Sequence, residues 1–123
     1  MENLDEFIDL IKRYESITIE EIKSNYNTTE KFNSRVIASR LTGFGWDATC
    51  TLCKVIAKRC NKCIYSTYYD YSDYDDQYCT FDSTYYNIKN SNSPEQLKEA
   101  FEKRAKFMRK VLSELGIDDI DQL

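Results

Sequence analysis

Two C-x-x-C pairs, Cys50-Thr51-Leu52-Cys53 and Cys60-Asn61-Lys62-Cys63, stand six residues apart, and no other feature restricts the chain as strongly. The spacing within each pair lets two thiolates grip one metal ion while nearby backbone N–H groups donate to the sulfurs. Together the pairs offer a four-cysteine tetrahedron for zinc. Lys54, Lys58, Arg59 and Lys62 would offset the negative charge of such a centre. The chain has no histidine, so a zinc site here is built from cysteine. The gap between the pairs is shorter than in the common zinc ribbons. The same residues also support a second reading. Cys50, Cys53, Ala57, Cys60 and Ile64 fall at helical spacing, and one helix beginning near Asp47 would bury the thiols as small hydrophobes. Zinc requires that helix to break. Dithiol redox chemistry and an iron–sulfur cluster are the remaining uses, while an odd count of five cysteines argues against a disulfide framework. Cys79 is either a core residue on a strand or a substitute ligand for one of the four.

A length of 123 residues fits one domain spanning 1–123. No apolar run approaches the roughly 20 residues of a membrane span, and the start, Met1-Glu2-Asn3-Leu4-Asp5-Glu6, is acidic where a signal peptide is basic. The expectation is a soluble, cytoplasmic protein. The absence of histidine also removes Ser–His and Cys–His nucleophile pairs and His-based acid–base work, which points to binding over catalysis. The net charge of −4 conceals segregation. Residues 1–30 hold eight acids and three bases, and residues 31–62 hold seven bases and one acid. Residues 63–88 hold five acids and no base, and residues 89–123 balance at seven each. A basic stretch containing three of the five cysteines therefore lies between acidic ones, and reads either as a local anion site or as surface charge neutralised by its neighbours.

Helix signals cluster at both ends. Leu4, Phe7, Ile8, Ile11 and Tyr14 recur at helical spacing behind Asn3 and Glu6, a cap-and-acid pair. Thr18 with Glu21 opens a second helix with Ile19, Ile22 and Tyr26 inward. Asn27 with Glu30 opens a third, carrying Phe32, Val36 and Ile37 and ending at Gly43. Ser93-Pro94-Glu95-Gln96 supplies cap, first-turn proline and third-position glutamine for a long helix to Leu115, stopped by Gly116. Its apolar positions Leu97, Phe101, Met108, Val111 and Leu115, with Arg104 in the gap, are heptad-like, serving either the core or a homo-oligomer seam. Between these ends, β-branched and aromatic residues in 64–69 and 78–88 favour two short strands around a Tyr/Asp loop, although Tyr68, Tyr71, Tyr74 and Tyr78 also share one side of a helix. The expected fold is α+β and mostly helical, with helices at both ends around a central cysteine- and tyrosine-rich region holding a short β-hairpin.

Tyrosine suits nucleobase stacking as well as half-buried faces. Trp46, Tyr65, Tyr68 and Tyr69 lie near Arg40, Arg59 and Lys62 in sequence, so these seven residues form the candidate pocket for a phosphate-bearing nucleotide. Extended nucleic acid would be repelled by the acidic flanks. Alternatively, Asp70, Asp73, Asp75 and Asp76 present an acidic Tyr/Asp surface to a basic protein, making the chain a zinc-stabilised inhibitor or adaptor. A dithiol redox protein is the third reading, and it lacks the βαβ frame and cis-proline signal that such chemistry uses.

The combination of Thr42-Gly43-Phe44-Gly45, Cys50-Thr51-Leu52-Cys53, Cys60 with Cys63-Ile64, Thr84-Tyr85-Tyr86 and a final helix carrying Ala100-Phe101 and Arg104-Ala105 resembles small uncharacterised accessory proteins of bacteriophages and mobile elements. The resemblance covers residues 42 to about 112. It implies a compact accessory protein in the host cytoplasm, such as a counter-defence protein that binds an immune effector or sequesters a nucleotide signal, and it assigns no functional residue.

Overall fold

A computed structural model describes residues 3–26, 31–43, 64–69, 83–117 and 120. Six helices occupy them in chain order: α1 (Leu4–Ser16), α2 (Ile19–Ser24), α3 (Ser34–Thr42), α4 (Ile64–Tyr69), α5 (Ser83–Lys89) and α6 (Pro94–Glu114). The 21-residue α6 is the axis of the fold, with α1, α2, α4 and α5 laid against it and α3 packed on α1 and α5. Its stripe of Leu97, Phe101, Arg104, Met108 and Val111 is buried inside the chain, so these heptad-like positions serve the core. Opposite them lie Phe7, Ile11 and Tyr14 of α1, with the Tyr14 and Phe101 rings stacked at 5.3 Å. Arg109 adds a two-pronged bond to Glu15 at 2.6 and 2.9 Å on the rim of the same contact.

Local chemistry sets most helix ends. At α2 the Thr18 hydroxyl accepts from the Glu21 N–H while the Glu21 carboxylate accepts from the Thr18 N–H, a complete capping box. At α6 the Ser93 hydroxyl accepts from the Gln96 N–H, and the Gln96 side chain turns back one residue further than expected to accept from the Asn92 N–H. The far end closes as a Schellman turn: Gly116 at φ 88° donates to Ser113 O and Ile117 donates to Leu112 O. Gly43 ends α3 in the left-handed region at φ 72°. The start of α3 differs from expectation. Asn33 is its cap, with Oδ1 accepting from Val36 N–H, and the expected pair Asn27 and Glu30 lies outside the described residues.

Arg13 joins three helices, its Nε donating to Leu41 O and its Nη2 to Glu21. That guanidinium bond holds the Glu21 carboxyl below the ordinary carboxylate range.

The expected β-hairpin is corrected. Among the described residues there is no strand: 64–69 forms α4 and 83–88 belongs to α5, while 78–82 lies outside the described residues. β propensity describes side chains that fit a half-buried surface, and tertiary packing overrides it. Ile64, Tyr65 and Tyr68 stand at i, i+1 and i+4, as do Thr84, Tyr85 and Ile88. Helical spacing turns each set toward the core, whereas alternation would split it between two faces. The described fold is therefore all-helical.

Candidate ligand-binding surface

Most of the residues selected from sequence fall outside the described set: Trp46, Arg59 and Lys62, the four cysteines Cys50, Cys53, Cys60 and Cys63, Cys79, and the aspartates Asp70, Asp73, Asp75 and Asp76. Among the described residues no group of three or more cysteine or acidic side chains could hold a metal. No described helix is long and apolar enough to cross a membrane.

The remaining residues are separated by role. Tyr65 is 1% exposed, its ring edge-on to Phe7 at 5.2 Å, so it is a core residue. Tyr68, one turn later on α4, is half-buried and meets the Phe107 ring edge-on at 6.2 Å. Tyr69 is the last residue of α4. Arg40 lies on α3, and its guanidinium donates to the Asn25 carbonyl at the end of α2.

Tyr68 leads instead to a surface formed by α6. A groove of about 660 Å³ runs along that helix, lined by Lys103, Lys106, Phe107, Arg109, Lys110 and Ser113. Steps of three and four place Lys103, Lys106, Phe107 and Lys110 on one side. The Phe107 ring is held from two directions, by Tyr68 and by the Arg104 guanidinium 5.7 Å from its centroid. Arg104 is itself fully buried, lies 5.2 Å from the Tyr65 ring and donates from Nη1 to Thr84 Oγ1 at 3.0 Å. It thereby ties α4, α5 and α6 beneath the groove. Lys103 pairs with Glu99 at 3.1 Å and Arg109 with Glu15, whereas no ion pair among the described residues includes the exposed Lys106 or Lys110. Ammonium groups, an aromatic ring and a hydroxyl make a set that attracts an anion and offers a flat apolar contact.

A sum over residues 89–123, which is zero, conceals these lysines. Inside that segment, Lys103-Arg104-Ala105-Lys106-Phe107-Met108-Arg109-Lys110 holds five bases and no acid. A window of one or two helical turns would have exposed it.

No family model matches the chain, and no curated protein or solved structure does either.

Proposed function

We propose that the protein is a non-enzymatic binding protein that sequesters a small anionic, nucleotide-like ligand on the α6 groove. The observation supporting this most directly is the pair of exposed ammonium groups, Lys106 and Lys110, flanking the fixed ring of Phe107 without a carboxylate partner among the described residues. A surface of that kind is a local positive field on a chain of net charge −4. A compact anion can approach it, while a long polyanion would also meet the acidic segments.

In a thermal-shift panel of mono-, cyclic and dinucleotides, a ligand at about 100 times its Kd adds about 2.7 kcal/mol by mass action and raises Tm by several degrees. The double variant Lys106→Glu/Lys110→Glu should erase that rise while leaving the unliganded Tm close to the parent value, because both side chains are exposed. A panel in which nothing stabilises the parent protein overturns the reading.

The proposal includes one structural zinc held by Cys50, Cys53, Cys60 and Cys63, supported by their paired spacing. Native mass spectrometry should show one zinc per chain, lost in Cys50→Ser. A folded, reduced chain at its metal-free mass would rule the zinc out.

A further inference from the structure

The groove continues up α6 into a second concavity. Gln96, Glu99 and Lys103 face Asn87 and Asn90 of the α5 end across a cavity of about 250 Å³, and Lys103 lines both this cavity and the basic groove. On α6 the positions 96, 99, 103, 106, 107, 110 and 113 form one helical stripe, so the two concavities are successive parts of a single surface. Their chemistry differs. The upper part is lined by three amide side chains, each carrying both donors and an acceptor, and by the Glu99 carboxylate, which Lys103 neutralises at 3.1 Å. Its Gln96 amide is oriented, since Oε1 accepts from Asn92 N–H and the Nε2 end is therefore the donor end. The lower part carries the lysines and Phe107.

Size decides what each part can take. The upper cavity is smaller than the roughly 300–1,000 Å³ of pockets that enclose a whole drug-sized ligand, so it accommodates one planar group. Amides are the side chains that pair with both a donor and an acceptor on a nucleobase edge. One turn before Asn90 on α5 stands Tyr86, 48% exposed and the only large hydrophobic residue exposed to that degree among those described. Its ring meets Tyr85 edge-on at 5.4 Å and has the Lys89 ammonium 5.9 Å from its centroid. Position 86 shares a helix side with Asn90, so a base held by Asn90 would stack on the ring in place of that lysine. Below, Lys106 and Lys110 stand about 6 Å apart along the helix axis, which matches negative charge distributed along a phosphate chain, while Lys103 above them is paired with Glu99.

We infer that the ligand class is a nucleoside polyphosphate, with its base in the amide cavity at Asn90, stacked on Tyr86, and its phosphates along Lys106 and Lys110. This assignment rests on the proposed anion-binding role of the groove and adds the part of the ligand that confers selectivity.

Calorimetric titration with the four common nucleoside triphosphates and with inorganic triphosphate separates the two claims. At least one nucleotide should bind about tenfold or more tightly than inorganic triphosphate. In Tyr86→Ala/Asn90→Ala that preference should fall to near one while inorganic triphosphate binds as before. In Lys106→Glu/Lys110→Glu both ligands should be lost. Equal binding of nucleotide and inorganic triphosphate, abolished by the lysine reversals, overturns base recognition and leaves the anion groove standing. A preference that survives Tyr86→Ala/Asn90→Ala likewise overturns the base site. No binding of any probe to the parent protein overturns both claims.

Discussion

Truncating Arg104 to alanine should destabilise the protein by about 3 kcal/mol or more, a large share of the roughly 5–15 kcal/mol that holds a domain together. Three losses combine there. The guanidinium leaves its positions near Tyr65 and Phe107, contacts worth about 0.5–2 kcal/mol each. The charged hydrogen bond to Thr84 Oγ1 disappears, worth about 1.5–3 kcal/mol. A fully buried stem is replaced by a void that its neighbours fill only in part. The contributions are not additive, and the net figure corresponds to a fall in Tm of roughly 10 °C for a chain of this size. Arg104→Met separates volume from charge, because it restores the stem without the guanidinium. It should recover part of the loss, and full recovery would show that the charge itself contributes nothing to stability. An alanine variant within about 0.5 kcal/mol of the parent in denaturant unfolding would contradict the account. Because Phe107 lies beside this guanidinium, Arg104→Ala should also weaken the ligand capture proposed for the groove even below its own melting transition.

Asn3→Ala is expected to cost about 1–3 kcal/mol through a contact that spans 61 residues of chain. The Asn3 side chain is fully buried, and its Oδ1 accepts from Ile64 N–H at 3.0 Å. That N–H opens α4 and has no partner within its own helix. Removing the acceptor leaves a buried donor desolvated and loosens the start of α4 against α1. Hydrogen exchange reads this directly: the Ile64 amide should lose protection while the amides of α1 keep theirs. The opposite pattern, with α1 fraying and Ile64 still protected, would mean that Asn3 acts as a conventional cap on α1. The structure assigns it no such side-chain bond there.

Asn3 also shows how far sequence reading reaches. Its position before a helical run made it a cap for α1, and the helix does begin there, with Phe7 N–H bonding the Asn3 carbonyl. Only the side chain acts elsewhere. The Thr18/Glu21 box, the Ser93-Pro94 start, the Gly43 and Gly116 stops and the inward faces of α1 and α6 were all legible. In each case the partner groups lie within a turn or two of sequence, so the interaction forms wherever the chain is helical. The strands expected at Ile64–Tyr69 and within 78–88 went the other way, because β-branched and aromatic residues report burial as much as backbone form. Of the candidate ligand residues, Tyr68 alone is placed beside the basic groove by a described contact, and Tyr65 lies in the core. Nothing local distinguishes those two tyrosines. The difference is which of them meets Phe7 and which meets Phe107.

The amino-acid order by itself determined where most of these helices begin and end and which of their faces turn inward, since capping and periodicity act over a few residues. It also excluded histidine from any zinc site, because none is present. Tertiary structure decided the rest. It brought Thr84 and Tyr65 around Arg104, joined Asn3 to Ile64, and set the amides of the α5 end beside the lysine stripe of α6. Those contacts depend on how rods of fixed periodicity pack against one another, and the energy of that packing resides in pairs of residues that the linear order leaves far apart.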